Sequence, residues 1–462
     1  MPSTLGPKLA LARAVGALSR LRGGGGTSAP GKLLIRLDPR AIATLGARLR
    51  SGSVLISATN GKTTTAAMAA AILEREGVPL VHNQAGANMA GGIATTLLGA
   101  AHGGGEIDGE LGLFEVDELW LARLAAELEP RAIVLGNLFR DQLDRYGELE
   151  TIADSWARLL ASAATGVVLN ADDPLVADLG RDRPGALFFG VEDDSLALPG
   201  LAHAADAKHC RRCGAPYVFD AVYLGHLGHY HCPNCGRERP RPAVHASDVR
   251  LEGVRAASFT LHTPLGSGEV RLALPGLYNV YNALAAAALA TSLEIPFATI
   301  TAGLSASRAA FGRAETVTVS ANGAGPEREL RILLVKNPAG TNEVLRTLAL
   351  EPGEHDLLGV LNDQIADGRD VSWIWDADFE LLAGRIRSAT CSGTRAADLA
   401  TRLKYAGVDP TRIRVCEPLD EALAEAVADG AGGPLYALPT YTAMLALREL
   451  LVARGEASSA WS

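Results

Sequence analysis

The chain has 462 residues, 48% of them hydrophobic, with a formal net charge of −9 and a pI near 5.6. That length gives a prior of about three domains with a sizeable core, and the acidic balance without a basic block argues against a nucleic-acid binder. No apolar run reaches 18 residues and no signal-like core precedes a cleavage site, which predicts a cytoplasmic protein.

Residues 8–22 form a basic amphipathic helix pattern, with Leu11, Val15 and Leu18 on one side and Lys8, Arg13, Arg20 and Arg22 elsewhere. It fits a helix packed on its own domain, and it also fits peripheral contact with the inner face of the membrane. A loop follows from Gly23 to Gly31, so residues 1–50 read as an N-terminal helix and Gly-rich segment.

From Val54 to Ser57 a buried strand runs into Thr59-Asn60-Gly61 and then a helix starting Lys62-Thr63-Thr64. Strand, tight turn and helix start aim free N–H groups at a phosphate. Lys62 would give a point charge to the β- and γ-phosphates of ATP, and the Thr63 hydroxyl a hard ligand to Mg²⁺. Ile56 stands where the strict motif has its first glycine. Strand candidates at Leu111–Val116, Ala132–Gly136 and Gly166–Asn170 alternate with helices, which predicts an α/β fold with a parallel sheet.

Residues 201–245 break that alternation. Cys210-Arg-Arg-Cys213 and Cys232-Pro-Asn-Cys235, each followed by glycine, predict an inserted ribbon over 205–240 holding structural Zn²⁺, because four thiolates close a tetrahedral site. A redox pair or disulfides are the rival readings. His209, His226, His229 and His231 are read as bystanders, and Cys391 and Cys416 as buried apolar residues.

An alanine-rich helix is expected over Asn279–Ser292 and a turn-rich boundary near Ala321–Glu329. The ATP-binding domain is thus expected over 51–320 and a second, Rossmann-like α/β domain over 321–462, with strands at Arg331–Val335, Leu357–Leu361, Arg412–Cys416 and Leu435–Leu438. Lys336-Asn337-Pro338 follows a strand, where such domains place ligand loops, although a structural turn fits as well. Trp373 and Trp375 alternate as on a strand or extended loop.

Five segments together resemble the Mur ligase superfamily, ATP-dependent enzymes that join an amine to a carboxylate. They are Ile56-Ser-Ala-Thr-Asn-Gly-Lys-Thr-Thr64, Phe114-Glu115-Val116-Asp117-Glu118, Asn137-Leu-Phe-Arg-Asp141-Gln-Leu-Asp144, Pro275-Gly-Leu-Tyr-Asn279-Val-Tyr-Asn-Ala283 and Gly312-Arg313-Ala314-Glu315. The resemblance implies Glu115 as an acidic Mg²⁺ ligand, Asn279 as the residue on adenine and Arg313 as a further nucleotide contact. Only about fifty residues precede the phosphate loop, Gln142 replaces the family's histidine, and no lysine lies between Lys62 and Lys208. These departures leave no candidate for the family's carbamoylated lysine and argue against a UDP-sugar-binding domain.

With the four-cysteine insert, Val335-Lys-Asn-Pro-Ala-Gly-Thr-Asn-Glu343 and Leu361-Asn-Asp-Gln-Ile-Ala-Asp-Gly-Arg-Asp-Val-Ser-Trp-Ile-Trp-Asp376, the chain is similar to the MurT-type branch. Members of that branch are ligase subunits of lipid II isoglutaminyl synthase. The resemblance implies a glutamine-hydrolysing amidation in peptidoglycan synthesis. ATP activates the D-glutamate α-carboxylate of lipid II as an acyl phosphate, with Lys62 and Glu115 catalytic. Ammonia comes from a GatD-type glutamine amidotransferase subunit whose catalytic Cys and His would be completed by an aspartate of this chain, assigned to Asp370 with Asp367 and Asp363 next. An alternative is a Mur or folylpolyglutamate-type ligase that adds an amino acid to a carboxylate, and a second is a non-catalytic zinc scaffold.

Overall fold

The computed structural model describes residues 5–21, 28–83, 87–141, 149–162, 165–201, 205–308, 313–321, 327–429 and 433–457. Two sheets organise them. The first has nine strands: β1 (Ser53–Ser57), β2 (Leu80–His82), β3 (Leu111–Glu115), β4 (Ala132–Leu135), β5 (Gly166–Asn170), β6 (Leu187–Val191), β9 (Val244–Glu252), β10 (Ala256–Thr263) and β11 (Gly266–Leu272). Their order is β11-β10-β9-β6-β5-β4-β1-β3-β2, parallel from β2 through β9, with β10 and β11 added antiparallel. The hairpin of β7 (Val218–Leu224) and β8 (Leu227–His231) stands apart as a two-stranded sheet.

Every residue of β1 is buried. Val54 and Ile56 face one core cluster and Leu55 the other, so both faces of the strand are covered and its sequence is a continuous apolar run. One face carries α4 (Lys62–Arg75) and the alanine-rich helix Leu277–Ser292. The other carries α1 (Leu5–Leu21), α2 (Ala29–Leu37), α3 (Ala41–Gly46), α5 (Ala90–Ala100) and α6 (Leu121–Leu128). The alanines of Leu277–Ser292 are buried almost throughout and let that helix lie close against α4.

The second sheet runs β12-β13-β17-β14-β15-β16, from β12 (Arg313–Val319), β13 (Arg328–Leu333), β14 (His355–Val360), β15 (Ile386–Ser392), β16 (Ile413–Val415) and β17 (Leu435–Pro439). It is parallel except for β12 on β13. Its first strand starts at Arg313, ahead of the boundary expected at residue 321, because Val317 and Val319 pack into the second core. The meander β9 to β11 and strands β12 and β15 carry too much polar sequence to be read as strands from periodicity alone. Trp373 and Trp375 correct another expectation. They lie in a 3₁₀ turn, Ser372–Trp375, with Trp373 against the core and Trp375 half exposed.

One buried carboxylate ties the first sheet together. Asp172, fully buried after β5, accepts from Arg239 Nε at 2.6 Å, Tyr281 Oη at 2.6 Å and Val191 N at 2.9 Å. It thereby joins the sheet, the alanine-rich helix and the chain leaving the cysteine insert. Burial works against the Arg239 charge, but Asp172 and Glu192 outweigh it and raise its pKa. Removing Asp172 leaves the buried Arg239 with Glu192 alone and takes the acceptor from Tyr281 and the Val191 amide, so Asp172→Ala should cost about 3–5 kcal/mol. Chemical denaturation followed by circular dichroism reads this directly.

Candidate active site

The loop after β1 lies where neighbouring connections diverge, β3 on one side and β4 on the other, which is where open α/β sheets place ligands. Gly61 ends the loop at φ +88, and a Cβ there would lie 2.0 Å from Asn282 Oδ1, so this position needs glycine for conformation and for space. No side chain caps α4, which leaves its first N–H groups for an anion. Asn137 grips the loop from both directions, with its Oδ1 accepting from Asn60 N at 2.9 Å and its Nδ2 donating to Asn60 O at 3.0 Å. Thr59 Oγ1 accepts from Phe139 N at 3.0 Å, and Thr63 and Thr64 begin the helix behind.

Lys62 meets Glu118 at 2.8 Å, both nearly buried, and also donates to Ala58 O. Burial works against its charge, yet Glu118, Glu115 and Asp117 together raise its pKa. Glu115, buried at the end of β3, accepts from Asn88 Nδ2 at 3.2 Å. Sequence reading singled out Glu115 and passed over Glu118, although three acids in four residues at the end of a buried strand were a visible sign. Such a buried acidic group beside one lysine suits a hard divalent cation.

A cavity of about 110 Å³ opens beside this loop, between the two sheets. Asn60, Gly61 and Thr64 form one wall, and Tyr278, Asn279 and Asn282 a second. Asn279 Nδ2 donates to Pro275 O at 2.7 Å and its Oδ1 accepts from Asn282 at 3.1 Å. The second domain supplies Lys336, Gly340 and Glu343. Burial raises the Glu343 pKa, against the opposing effect of Arg346. Arg313 opens β12, and its side chain lies outside the described residues, as do Gln142 and Asp144.

The second domain locks onto the phosphate loop. Lys336 Nζ donates to Thr59 O at 3.1 Å and pairs with Asp141 at 2.5 Å. Asn337 Nδ2 donates to Asn60 Oδ1 at 3.0 Å, while Asn337 Oδ1 caps the helix Pro338–Ala349 through Gly340 N at 2.9 Å. The Lys336-Asn337-Pro338 segment thus serves as both a helix start and a contact to the loop.

The four cysteines converge as a group whose sulfurs all lie within 4.8 Å of one another. Cys210 and Cys235 sulfurs are 3.6 Å apart, and Cys213 and Cys232 sulfurs 3.5 Å. A tetrahedron with zinc–sulfur bonds of 2.3 Å has edges of about 3.8 Å. Hydrogen bonds from the Asn234 side chain and the Ala215 amide hold the Cys213 thiol down at about 6. The Arg237 amide favours the Cys235 thiolate, but lost hydration and the neighbouring sulfurs push it up to about 11. A cation relieves that mutual repulsion, so the donor set fits zinc. His229 and His231 bond instead to Val191 O and Asp220, and His226 packs at a tilt against Phe139, with ring centroids 4.6 Å apart. The hairpin tip reaches the cavity, where Leu224 and Leu227 form an apolar side that sequence reading did not foresee. Of the lone cysteines, Cys391 is buried and Cys416 partly exposed.

Asp363, Asp367 and Asp370 of the second domain are not among the residues lining the cavity, and they differ in their surroundings. Asp367 is buried and accepts from Thr442 N at 2.7 Å, fixing the start of the helix Tyr441–Ala453. Asp363 accepts from Thr394 Oγ1 at 2.9 Å and pairs with Arg395. Asp370 is exposed, and the Ser372 hydroxyl and amide lower its pKa, so it stays ionised and reachable.

Residues 56–215 match the Mur ligase middle domain, and residues 334–444 the MurT ligase C-terminal domain. The chain is 33% identical over 440 residues to the lipid II isoglutaminyl synthase (glutamine-hydrolyzing) subunit MurT of Streptococcus pneumoniae, covering 95% of this chain and 94% of that protein. It is 32% identical to the subunit of the same name from Staphylococcus aureus, covering 96% of each chain. In fold it is similar to a pseudomurein peptide ligase type C from Methanothermus fervidus, with a TM-score of 0.66, 24% identity and coverage of 89% of this chain and 80% of that one. Similarity along nearly the full length of both partners, with both domain matches in order, shows that the chain belongs to the MurT family of Mur ligases.

Proposed function

We propose that this chain is the ligase subunit of a glutamine-hydrolysing lipid II isoglutaminyl synthase and amidates the D-glutamate α-carboxylate of lipid II in peptidoglycan synthesis. The observation that carries this reading is the phosphate loop with its buried Lys62, Glu115 and Glu118, closed over by the Lys336-Asn337 segment of a MurT-type C-terminal domain. A carboxylate resists amines because its charge repels them and oxide is a poor leaving group. Transfer of the γ-phosphoryl group of ATP to the carboxylate oxygen releases ADP and leaves an acyl phosphate. Ammonia then adds to the carbonyl carbon, loses a proton, and phosphate departs to leave the amide.

Catalysis of this kind is mainly placement and electrostatics. In the free state Glu118 holds the Lys62 ammonium, and nucleotide would draw it toward the β- and γ-phosphates. Thr63 and Glu115 would hold Mg²⁺, which supplies charge neutralisation at the phosphates. Thr59, Asn60, Gly61, Thr64, Asn279 and Arg313 are assigned to nucleotide binding. Lys336 gives a second cation near the loop, in a chain with no lysine between Lys62 and Lys208.

Ammonia is mostly ammonium at neutral pH, so a GatD-type amidotransferase partner would deliver it locally. Asp370 would orient that partner's catalytic imidazole and stabilise its cation, since Asp367 is occupied in capping a helix and Asp363 is tied to Arg395. Structural zinc in the four-cysteine site would fix the hairpin whose tip faces the cavity.

Three outcomes test these assignments. Lys62→Ala should lower lipid II amidation by on the order of 10²-fold or more with either glutamine or ammonium as nitrogen source, read by mass spectrometry; near-normal turnover would remove its role. Asp370→Asn should cut glutamine-driven amidation while ammonium-driven amidation survives, and equal loss with both would place the residue elsewhere. Elemental analysis should find one zinc per chain, lost in Cys232→Ser together with a lower melting temperature and weaker ATP binding by calorimetry.

A further inference from the structure

The charge of this protein is unevenly distributed. Its first 50 residues hold nine lysines and arginines and a single acid, Asp38, within a chain whose formal net charge is −9. Asp38 is already taken by Lys8 at 3.0 Å. Lys32 and Arg36, one turn apart on α2, are exposed, as are Arg40 and Arg50, and none of these four forms an ion pair among the described residues.

α1 has two distinct faces. Leu5, Leu9, Ala12 and Gly16 are buried, and Gly16 lies so close to Pro30 that an added Cβ would sit 2.9 Å from its ring. Arg13 reaches inward to Leu98 O at 3.1 Å and to Ala101 O, closing the end of α5. On the outer side Leu11 and Leu18 are 51% and 49% exposed. Seven residues apart, they share one face. α2 is held to α5 at Gly31, where a Cβ would come within 2.0 Å of Gly91 O, and just before α5 Asn88 touches Glu115. The α1–α2 layer is therefore fixed one helix away from the acidic cluster beside Lys62.

We propose that this layer is a docking surface for an anionic lipid bilayer, with Leu11 and Leu18 entering the headgroup boundary and Lys32, Arg36, Arg40 and Arg50 meeting lipid phosphates. Exposed leucines on α1, in a basic segment whose cations on and after α2 have no ion-pair partner among the described residues, match that surface, which offers apolar depth and negative charge together. Basic charge in an otherwise acidic protein also orients the approach, because the remainder of the molecule is repelled by the same surface. The inference does not depend on the amidation reading, since the binding needs neither nucleotide nor lipid II.

The test is co-sedimentation of the full chain with vesicles of phosphatidylcholine alone or with about 30% phosphatidylglycerol. The chain should pellet with the anionic vesicles only, and less at raised salt. Leu11→Asp with Leu18→Asp, and separately Lys32→Glu with Arg36→Glu, should each reduce the partition coefficient by on the order of tenfold. Hydrogen exchange of the unaltered chain gives a second readout, with slowed exchange over residues 8–18 in the presence of the anionic vesicles. A chain that ignores these vesicles, or variants that bind them equally well, would overturn the proposal. Equal protection by a DNA duplex would replace lipid by nucleic acid, and dimerisation abolished by the leucine variants would replace it by a second copy.

Discussion

The close approach of Gly61 to Asn282 is the constraint on which the site rests. A side chain at position 61 would overlap the asparagine oxygen, and the backbone there adopts a conformation that L side chains rarely accept. The same asparagine accepts from Thr65 at 3.3 Å and donates to Asn279, so the start of α4 and the cavity wall are set by one small group of amides. Asn137 and Asn337 hold the loop from two other sides. Neutral amides suit this work because they can donate and accept without placing further charge beside a polyphosphate.

Charge is concentrated where the amides stop. Lys62, Glu115, Asp117 and Glu118 are all largely out of solvent, and burying one cation with several carboxylates is costly unless a further cation joins them. In the enzyme at rest the lysine satisfies part of that negative field. Nucleotide with its metal would redistribute it, which links substrate binding to the position of a single side chain. The pairing of Lys336 with Asp141 has the same character across the domain boundary, so the two domains meet through groups that phosphate would compete for.

The cysteine insert is more than a remote staple. Its knuckles fix the base of a hairpin, and the other end of that hairpin presents Leu224 and Leu227 to the cavity while His226 packs on Phe139 beside the loop. Asp172 joins the chain segment leaving the insert to the central sheet through Arg239. A module that reads in sequence as separate is mechanically continuous with the site.

Local chemistry was legible in the sequence. The strand, turn and helix of the phosphate loop, the alternation behind the parallel sheet, the paired cysteine knuckles and the family motifs all depend on residues close together in the chain, where spacing alone determines geometry. What depended on the fold was pairing across long separations. Glu118 reaches Lys62 over 56 residues, and Lys336 reaches Thr59 over 277. Sequence placed Asp370 ahead of Asp367 and Asp363 by resemblance alone, and the fold adds the physical difference between the buried, helix-capping Asp367 and the exposed Asp370. Trp373 and Trp375 mimicked a strand because an alternating pattern also arises in a short 3₁₀ turn with one ring inward and one outward. Sequence determines which groups are present and their local conformation, while the partner of a buried charge is decided by tertiary packing, because desolvation acts on whatever the fold brings together.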